Sequence, residues 1–235
     1  MRRRYPRLPP LPRAKPRGLL PLLPLLLCLL LPCLLASQDS GPERDAWQRP
    51  AEVMDALGLG PDMSVADVGS GDGYFTFHLA ARVGPAGKVY AVDIDEGELK
   101  KIRRRAKADG LGQIETVLGA RGDPRLPAES VDVALIVNAY HEMRDYDAML
   151  AGLYRALKPG GVFGLIEAED EPGKSRASYH DRHRMPAEVV REDAARAGFR
   201  FLREAPGFER PEGRKEFYFL VFEKPQDISA VIPSP

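Results

Sequence analysis

An apolar run leads into a glycine-rich turn at Val65-Ala66-Asp67-Val68-Gly69-Ser70-Gly71-Asp72-Gly73, and Tyr74-Phe75 come directly after it. Glycines at this density let backbone approach a ligand closely, and a helix starting after them offers free N–H groups and a positive dipole end. About twenty residues further on, the distance at which ribose-binding acids occur, Val92-Asp93-Ile94-Asp95 places a carboxylate at the tip of a second apolar run. A carboxylate there accepts hydrogen bonds from both hydroxyls of a ribose. The chemistry on offer is the holding of a ribose-bearing ligand, with a plain tight connection as the bland alternative.

Charge discriminates among such ligands. A dinucleotide lays a pyrophosphate on the turn, yet Asp67 precedes the loop and Asp72 sits within it. A like charge at ~6 Å with an effective dielectric of ~20 costs roughly 2.8 kcal/mol. S-adenosylmethionine brings an ammonium, a sulfonium and a single carboxylate, so Asp67 can balance the ammonium while the helix start faces the carboxylate. Gly69, Gly71 and Gly73 also read G-x-G-x-G, not the G-x-G-x-x-G of nicotinamide binders.

Alternating strands and helices must position these groups. The patterning predicts a helix over Ala46–Leu57 closed by Gly58, then strands at Met63–Val68, Lys88–Asp93, Ile114–Leu118, Val131–Val137 and Val162–Glu167. Helices are expected between them at Asp72–Val83, Glu96–Asp109 and Tyr146–Leu157, the last ended by Lys158-Pro159-Gly160-Gly161. Repeated βα units predict a parallel sheet covered on both faces, and the nearly unbroken apolar run Val131–Val137 suits a strand buried on both sides. Beyond this, Glu171–Met185 reads as a polar loop and Pro186–Ala197 as a helix. Phe199–Glu204 and Glu216–Phe222 read as strands able to pair antiparallel.

With these residues in place the sequence resembles the class I S-adenosylmethionine-dependent methyltransferases over about residues 49–223. The likeness is carried by Val65–Gly73, Val89–Asp93, Asp132–Asn138 and Leu157-Lys158-Pro159-Gly160-Gly161, weak singly and specific together. It implies an α/β fold of the Rossmann-like, doubly wound kind, three layers deep, with a mostly parallel seven-stranded sheet whose last strand is antiparallel. It implies S-adenosyl-L-methionine as cofactor. Gly69, Ser70 and Gly71 would line the methionine part with Asn138 nearby, Asp67 would lie near the ammonium, Asp93 on the ribose, and Ile94 beside the adenine. Asp123, before Leu126-Pro127, resembles the family's adenine-side acid, with Ala120 or Arg121 as other occupants of that place.

Ligands in doubly wound sheets gather beyond the carboxyl ends of the strands, so Asn138-Ala139-Tyr140-His141-Glu142 should border the reacting methyl. Methyl transfer from a sulfonium needs mainly alignment and exclusion of water. For an acceptor that loses a proton, His141 is the candidate base and Tyr140 a wall of the pocket, with a packing histidine as the plain alternative. The fourth strand lacks the Asn/Asp-Pro-Pro-Tyr/Phe run of base and glutamine amino methyltransferases. That leaves a methyl acceptor that is a small molecule, a lipid-like compound or a protein side chain, the first being favoured. No metal site is expected: His180 and His183 read as surface or lid residues, and His78 as structural. The basic run Arg103-Arg104-Arg105 reads as a solvated helix face.

Composition bounds the rest. With 44% hydrophobic and 29% charged residues in 235, one globular domain is expected, spanning 46–224 with a loose tail at 225–235. The zero formal charge averages two unlike pieces: seven basic residues and no acid lie in 1–38, leaving the remainder at about −7. Nucleic acid is therefore not an expected partner. Both cysteines, Cys28 and Cys33, fall in the N-terminal leucine run, so the body has no thiol for catalysis or a zinc site. Residues 1–38, a basic stretch followed by Leu19–Ala36, read as a signal peptide or a membrane anchor, placing the domain at a membrane or exported. A misassigned start codon and a cytoplasmic domain form the alternative. Two other functions compete: a cofactor-binding pseudoenzyme or regulatory protein without turnover, and a nicotinamide-dependent oxidoreductase, which lacks a Tyr-x-x-x-Lys pair here.

Overall fold

The structure, a computed structural model, describes residues 42–209 and 216–226. The expected signal or anchor at 1–38 and the tail from 227 onward lie outside the described residues. Among the described residues no helix is long and apolar enough to cross a membrane.

The strands are β1 (Ser64–Val68), β2 (Lys88–Asp93), β3 (Ile114–Leu118), β4 (Val131–Val137), β5 (Leu157–Ala168), β6 (Arg200–Glu209) and β7 (Glu216–Glu223). They form one seven-stranded sheet in the order β3-β2-β1-β4-β5-β7-β6, in which only β7 runs antiparallel to its neighbours. The helices are α1 (Pro42–Gln48), α2 (Pro50–Ala56), α3 (Tyr74–Val83), α4 (Glu96–Ala108), α5 (Tyr146–Ala156), α6 (Arg176–Arg182) and α7 (Ala187–Arg196). This is the Rossmann-like three-layer arrangement the sequence implies.

Side-chain alternation explains the layering. In β4, Val133 and Leu135 join the core under α2 and α3, while Ala134 and Ile136 join the core under α5 and α7. In β7, Phe217, Phe219 and Val221 alternate with Tyr218, Leu220 and Phe222 in the same way. Both faces of these strands are apolar because both are covered. Helix α4 packs Leu99 and Ile102 on Ala91 of β2. Its basic residues face outward: Arg103 pairs with Glu96, Lys101 with Glu98, and Arg105 lies over the Phe77 ring. That is a solvated face tied by local pairs, each of small energetic weight.

Most expected boundaries hold to within two residues, and four differences are larger. One expected N-terminal helix is two, because Pro50 disfavours helical backbone at the preceding residue; Arg49 takes φ 44° and breaks the run. Strand β5 begins five residues early, Leu157 pairing with Val131 across an irregularity before Val162 resumes the parallel register. Strand β6 continues to Glu209 through two register shifts. The expected loop Glu171–Met185 contains α6, capped by Ser175, whose hydroxyl accepts from Ser178 N–H at 3.2 Å.

Strand β5 is pinned on the α7 side by Phe163, fully buried, with its ring 5.6 Å from Phe222 and 5.1 Å from Phe199. Phe163→Ala should cost about 3–5 kcal/mol through lost burial and the cavity left behind. Urea unfolding is expected to show the midpoint falling with little change in slope; a loss under 1 kcal/mol would mean that this face does not depend on the aromatic stack.

Candidate functional site

The order of strands reverses between β1 and β4, whose connections leave in opposite directions and open a crevice beyond their carboxyl ends. Gly69 lies in that opening with φ 77°, and a Cβ added to it would come within 2.5 Å of the Ala139 Cβ. Two independent constraints, left-handed backbone and the approach of the β4 loop, therefore demand glycine here. The turn docks on the end of β2. The Val92 carbonyl accepts from Gly69 N–H at 2.9 Å and Ser70 N–H at 3.1 Å.

Asp93 holds the other end of the turn. Its Oδ2 accepts from Gly71 N–H at 2.8 Å and its Oδ1 from Asp95 N–H at 2.9 Å. A carboxylate carries about four acceptor positions, so one remains on each oxygen, the right supply for two vicinal hydroxyls. Next to it Ile94 is 64% exposed, an apolar side chain left at a strand tip. Ser70 is buried, yet its hydroxyl has no hydrogen-bond partner. A buried orphan hydroxyl is costly unless a ligand completes it.

Asp67 closes the inner side. It is buried at the end of β1, and its Oδ2 accepts from the Thr76 hydroxyl of α3 at 2.6 Å. Burial, reinforced by Asp93 and Asp72 nearby, pushes its carboxyl up to about 6, against the hydrogen bond from Thr76. Asp72 is half exposed; it accepts from Tyr74 N–H at 3.1 Å and pairs with Arg44 of α1 at 3.1 Å. Arg44 also lies over the Tyr74 ring. Helix α1 thus covers the start of α3, with Asp45 accepting from the Tyr74 hydroxyl at 2.6 Å and sitting 3.1 Å from His78. Trp47, edge-on to Phe208, packs the entry helix onto β6 and β7.

On the β4 side, Asn138 is exposed at φ 51°, a left-handed conformation that asparagine tolerates, and its N–H donates to the Ile166 carbonyl at 2.8 Å. His141 follows in a 3-10 turn at Tyr140–Glu142. Its side chain is 1% exposed: Nδ1 lies 2.9 Å from Oε2 of the fully buried Glu167, off the line of a hydrogen bond, and Nε2 lies 3.1 Å from Nδ1 of His183. Glu167 also accepts from His141 N–H at 3.2 Å and Ala168 N–H at 3.0 Å.

Two expected site residues stand elsewhere. Tyr140 is fully buried and forms no pocket wall; its hydroxyl donates to Asp193 Oδ2 at 2.8 Å, and Asp193 is clasped by Arg176 and Arg196. Burial pushes the Tyr140 hydroxyl above the usual phenol range, opposed by Arg176, so it is a structural donor. Asp123 turns toward α5: its Oδ1 accepts from Arg125 N–H at 2.9 Å and Arg155 at 3.3 Å. The structure adds Arg44, Thr76, Glu167 and His183. Glu167 carried a readable signal, an acid ending an otherwise apolar strand; His183 joins the site only through tertiary folding.

Residues 65–161 match a family model described as a methyltransferase domain. The chain is 35% identical over 113 residues to the nocamycin O-methyltransferase of Saccharothrix syringae, covering 48% of this chain and 40% of that one. It is 31% identical to the demethylmenaquinone methyltransferase of Geobacillus stearothermophilus, covering 52% of this chain and 51% of the relative. It therefore spans about half or less of these relatives' length. A SAM-dependent methyltransferase from Aquifex aeolicus superposes with a TM-score of 0.66 at 24% identity, over 78% of this chain and 94% of that structure.

The raised carboxyl of Asp67 makes stability depend on pH with a defined sign. Between the ordinary 3.8 and about 6 the folded chain keeps a proton that the unfolded chain releases, so stability falls as pH rises through that window and stays lower above it. Asp67→Asn removes this contribution. Relative to wild type, the variant should gain on the order of 3 kcal/mol between pH 4 and pH 7 in urea unfolding; a flat difference would show that Asp67 titrates normally.

Proposed function

We propose, from the premise that residues 65–161 form a class I S-adenosylmethionine-dependent methyltransferase domain, that this chain transfers a methyl group to a small-molecule acceptor. The observation that carries the reading is the acid-lined turn at the strand reversal, with Gly71 N–H on Asp93 and the orphan hydroxyl of Ser70 beside it. When bound, S-adenosylmethionine supplies a methyl group on a sulfonium, already a good leaving group.

The residues present fit that group. Asp93 has one acceptor position left on each oxygen for the ribose hydroxyls, and the exposed Ile94 offers an apolar face for the adenine. Gly69 and Gly71 bring bare backbone to the methionine part, and Ser70 Oγ gains a partner there. Asp67, Asp72 and Asp93 surround the turn with negative charge, which favours an ammonium and a sulfonium and disfavours a diphosphate. Asp67 gains most, because an ammonium nearby stabilises the ionised form that burial otherwise opposes. Asn138 borders the opening beside Ala139.

On the acceptor side, His141 packs against Glu167, with Nε2 3.1 Å from Nδ1 of His183. The acceptor's proton passes to this histidine pair as the acceptor aligns with the methyl group. Curated relatives named for O-methylation of nocamycin and for demethylmenaquinone support an acceptor of organic, small-molecule type. The N-terminal segment 1–38 supports a membrane-attached or exported protein; protease protection of a C-terminally tagged chain in intact cells distinguishes this from a cytoplasmic one.

Calorimetry on the purified full chain tests the cofactor. S-adenosylhomocysteine should bind one to one and NADH should give no heat; the reverse ends the proposal. Asp93→Ala should weaken binding by about 10–100-fold, the loss of hydrogen bonds to a charged acceptor. Affinity for S-adenosylmethionine should rise between pH 5 and pH 7 as Asp67 ionises near 6, and Asp67→Asn should abolish that rise. Transfer of a tritiated methyl group into fractionated extract separates an enzyme from a binding protein without turnover.

A further inference from the structure

Three donor atoms converge at the mouth of the β4 loop: Nε2 of His141, Nδ1 of His183 and Oε1 of Glu142. They stand 3.1 Å, 3.7 Å and 3.9 Å apart in pairs. The point equidistant from all three lies about 2.1 Å from each, within the bond lengths of about 2.0–2.2 Å that zinc makes to imidazole nitrogen and carboxylate oxygen. Tetrahedral zinc at those lengths sets its donors roughly 3.3–3.6 Å apart, inside the observed spread.

From this geometry we propose that His141, His183 and Glu142 form a binding site for one zinc-class divalent cation with an open fourth position. Glu167 supplies the support such sites need. A fully buried carboxylate, Glu167, lies 2.9 Å from Nδ1 of His141 and accepts from the His141 backbone N–H at 3.2 Å, so it backs the ring on the side opposite Nε2. Charge agrees as well, since two neutral imidazoles and one carboxylate leave the cation a net positive charge for a further oxygen donor. The side chains of Glu142 and His183 are 61% and 60% exposed, so the fourth position faces solvent. His183 takes left-handed backbone, φ 51°, at the end of α6, an unusual conformation for a residue with a Cβ and one that brings its ring edge-on to His141. His180, the other histidine of the same segment, is not a donor; its Nδ1 contacts the His141 carbonyl at 3.3 Å.

Cation binding stands independently of methyl transfer. Only the use of the fourth position, by a hydroxyl oxygen of the acceptor, rests on the function proposed above. Coordination would then take over from the histidine pair in lowering the hydroxyl's proton affinity, and the released proton would pass to water.

The test uses the full chain without a histidine tag, stripped with chelator and titrated with zinc by competition against a chromophoric chelator, and with cobalt(II) by visible d–d absorption. One equivalent should bind, and cobalt should give the intense spectrum of a four-coordinate site. His183→Ala and Glu142→Gln alter exposed side chains and should each weaken binding by roughly tenfold or more; Glu167→Gln should weaken it about 10–100-fold through His141. Circular dichroism on each variant separates loss of the site from loss of the fold. Absence of binding to wild type, or binding unchanged in the His183→Ala/Glu142→Gln double variant, overturns the proposal. Calorimetry with S-adenosylhomocysteine on the same preparations reports the cofactor site separately, so failure of one reading is distinguishable from failure of the other.

Discussion

The meeting of Gly69 with Ala139 is the constraint on which the site depends. Strands β1 and β4 lie side by side in the sheet, and the loops that leave them part in opposite directions while Gly69 still lies against the Ala139 side chain. Only a residue without Cβ fits on the β1 side, and the left-handed turn it makes carries the chain across the end of β2. That crossing lets Val92 and Asp93 capture the N–H groups of Gly69, Ser70 and Gly71. Asp93 and the glycine turn are thus one hydrogen-bonded unit, and each is placed by the other.

Electrostatics then fix what such a unit can hold. Asp67, Asp72 and Asp93 place three carboxyl groups around a few ångströms of backbone, and the burial of Asp67 shows the cost in its raised proton affinity. The nearest compensation comes from Thr76 and Arg44, the first donating to Asp67 and the second pairing with Asp72. A cationic ligand relieves this crowding and an anionic one worsens it. The helix start of α3 already receives the Asp72 carboxylate on Tyr74 N–H, so further negative charge there is costly and a zwitterionic amino-acid end suits the place better than a diphosphate.

Legibility in the sequence tracked periodicity and contiguity. Strands β2, β3 and β4 were readable to the residue because their apolar runs stop at glycine or polar residues such as Gly87, Gly119, Ser130 and Asn138, and the glycine turn with Asp93 was readable because its parts lie on neighbouring βα units. Helix α6 was not, since Tyr179 is the one buried residue among its seven, leaving no apolar stripe to detect. Tyr140 looked like a site residue from its neighbours in sequence, but its hydroxyl belongs to Asp193, 53 residues away. His183 escapes a sequence reading for the same reason, since its approach to His141 is created by the folding back of α6 and no spacing encodes it; Glu167 is marked only as an acid in an apolar strand, and its partner is set by the pairing of β4 with β5.

The two halves of the histidine pair differ in how firmly the fold owns them. His141 is seated against the sheet with Glu167 beneath it, whereas His183 ends a short helix whose one buried anchor is Tyr179. Anything that engages both rings at once must also fasten that helix to the sheet. Occupancy and local order therefore rise together, and the rim of the crevice becomes stiffest at the moment it is filled.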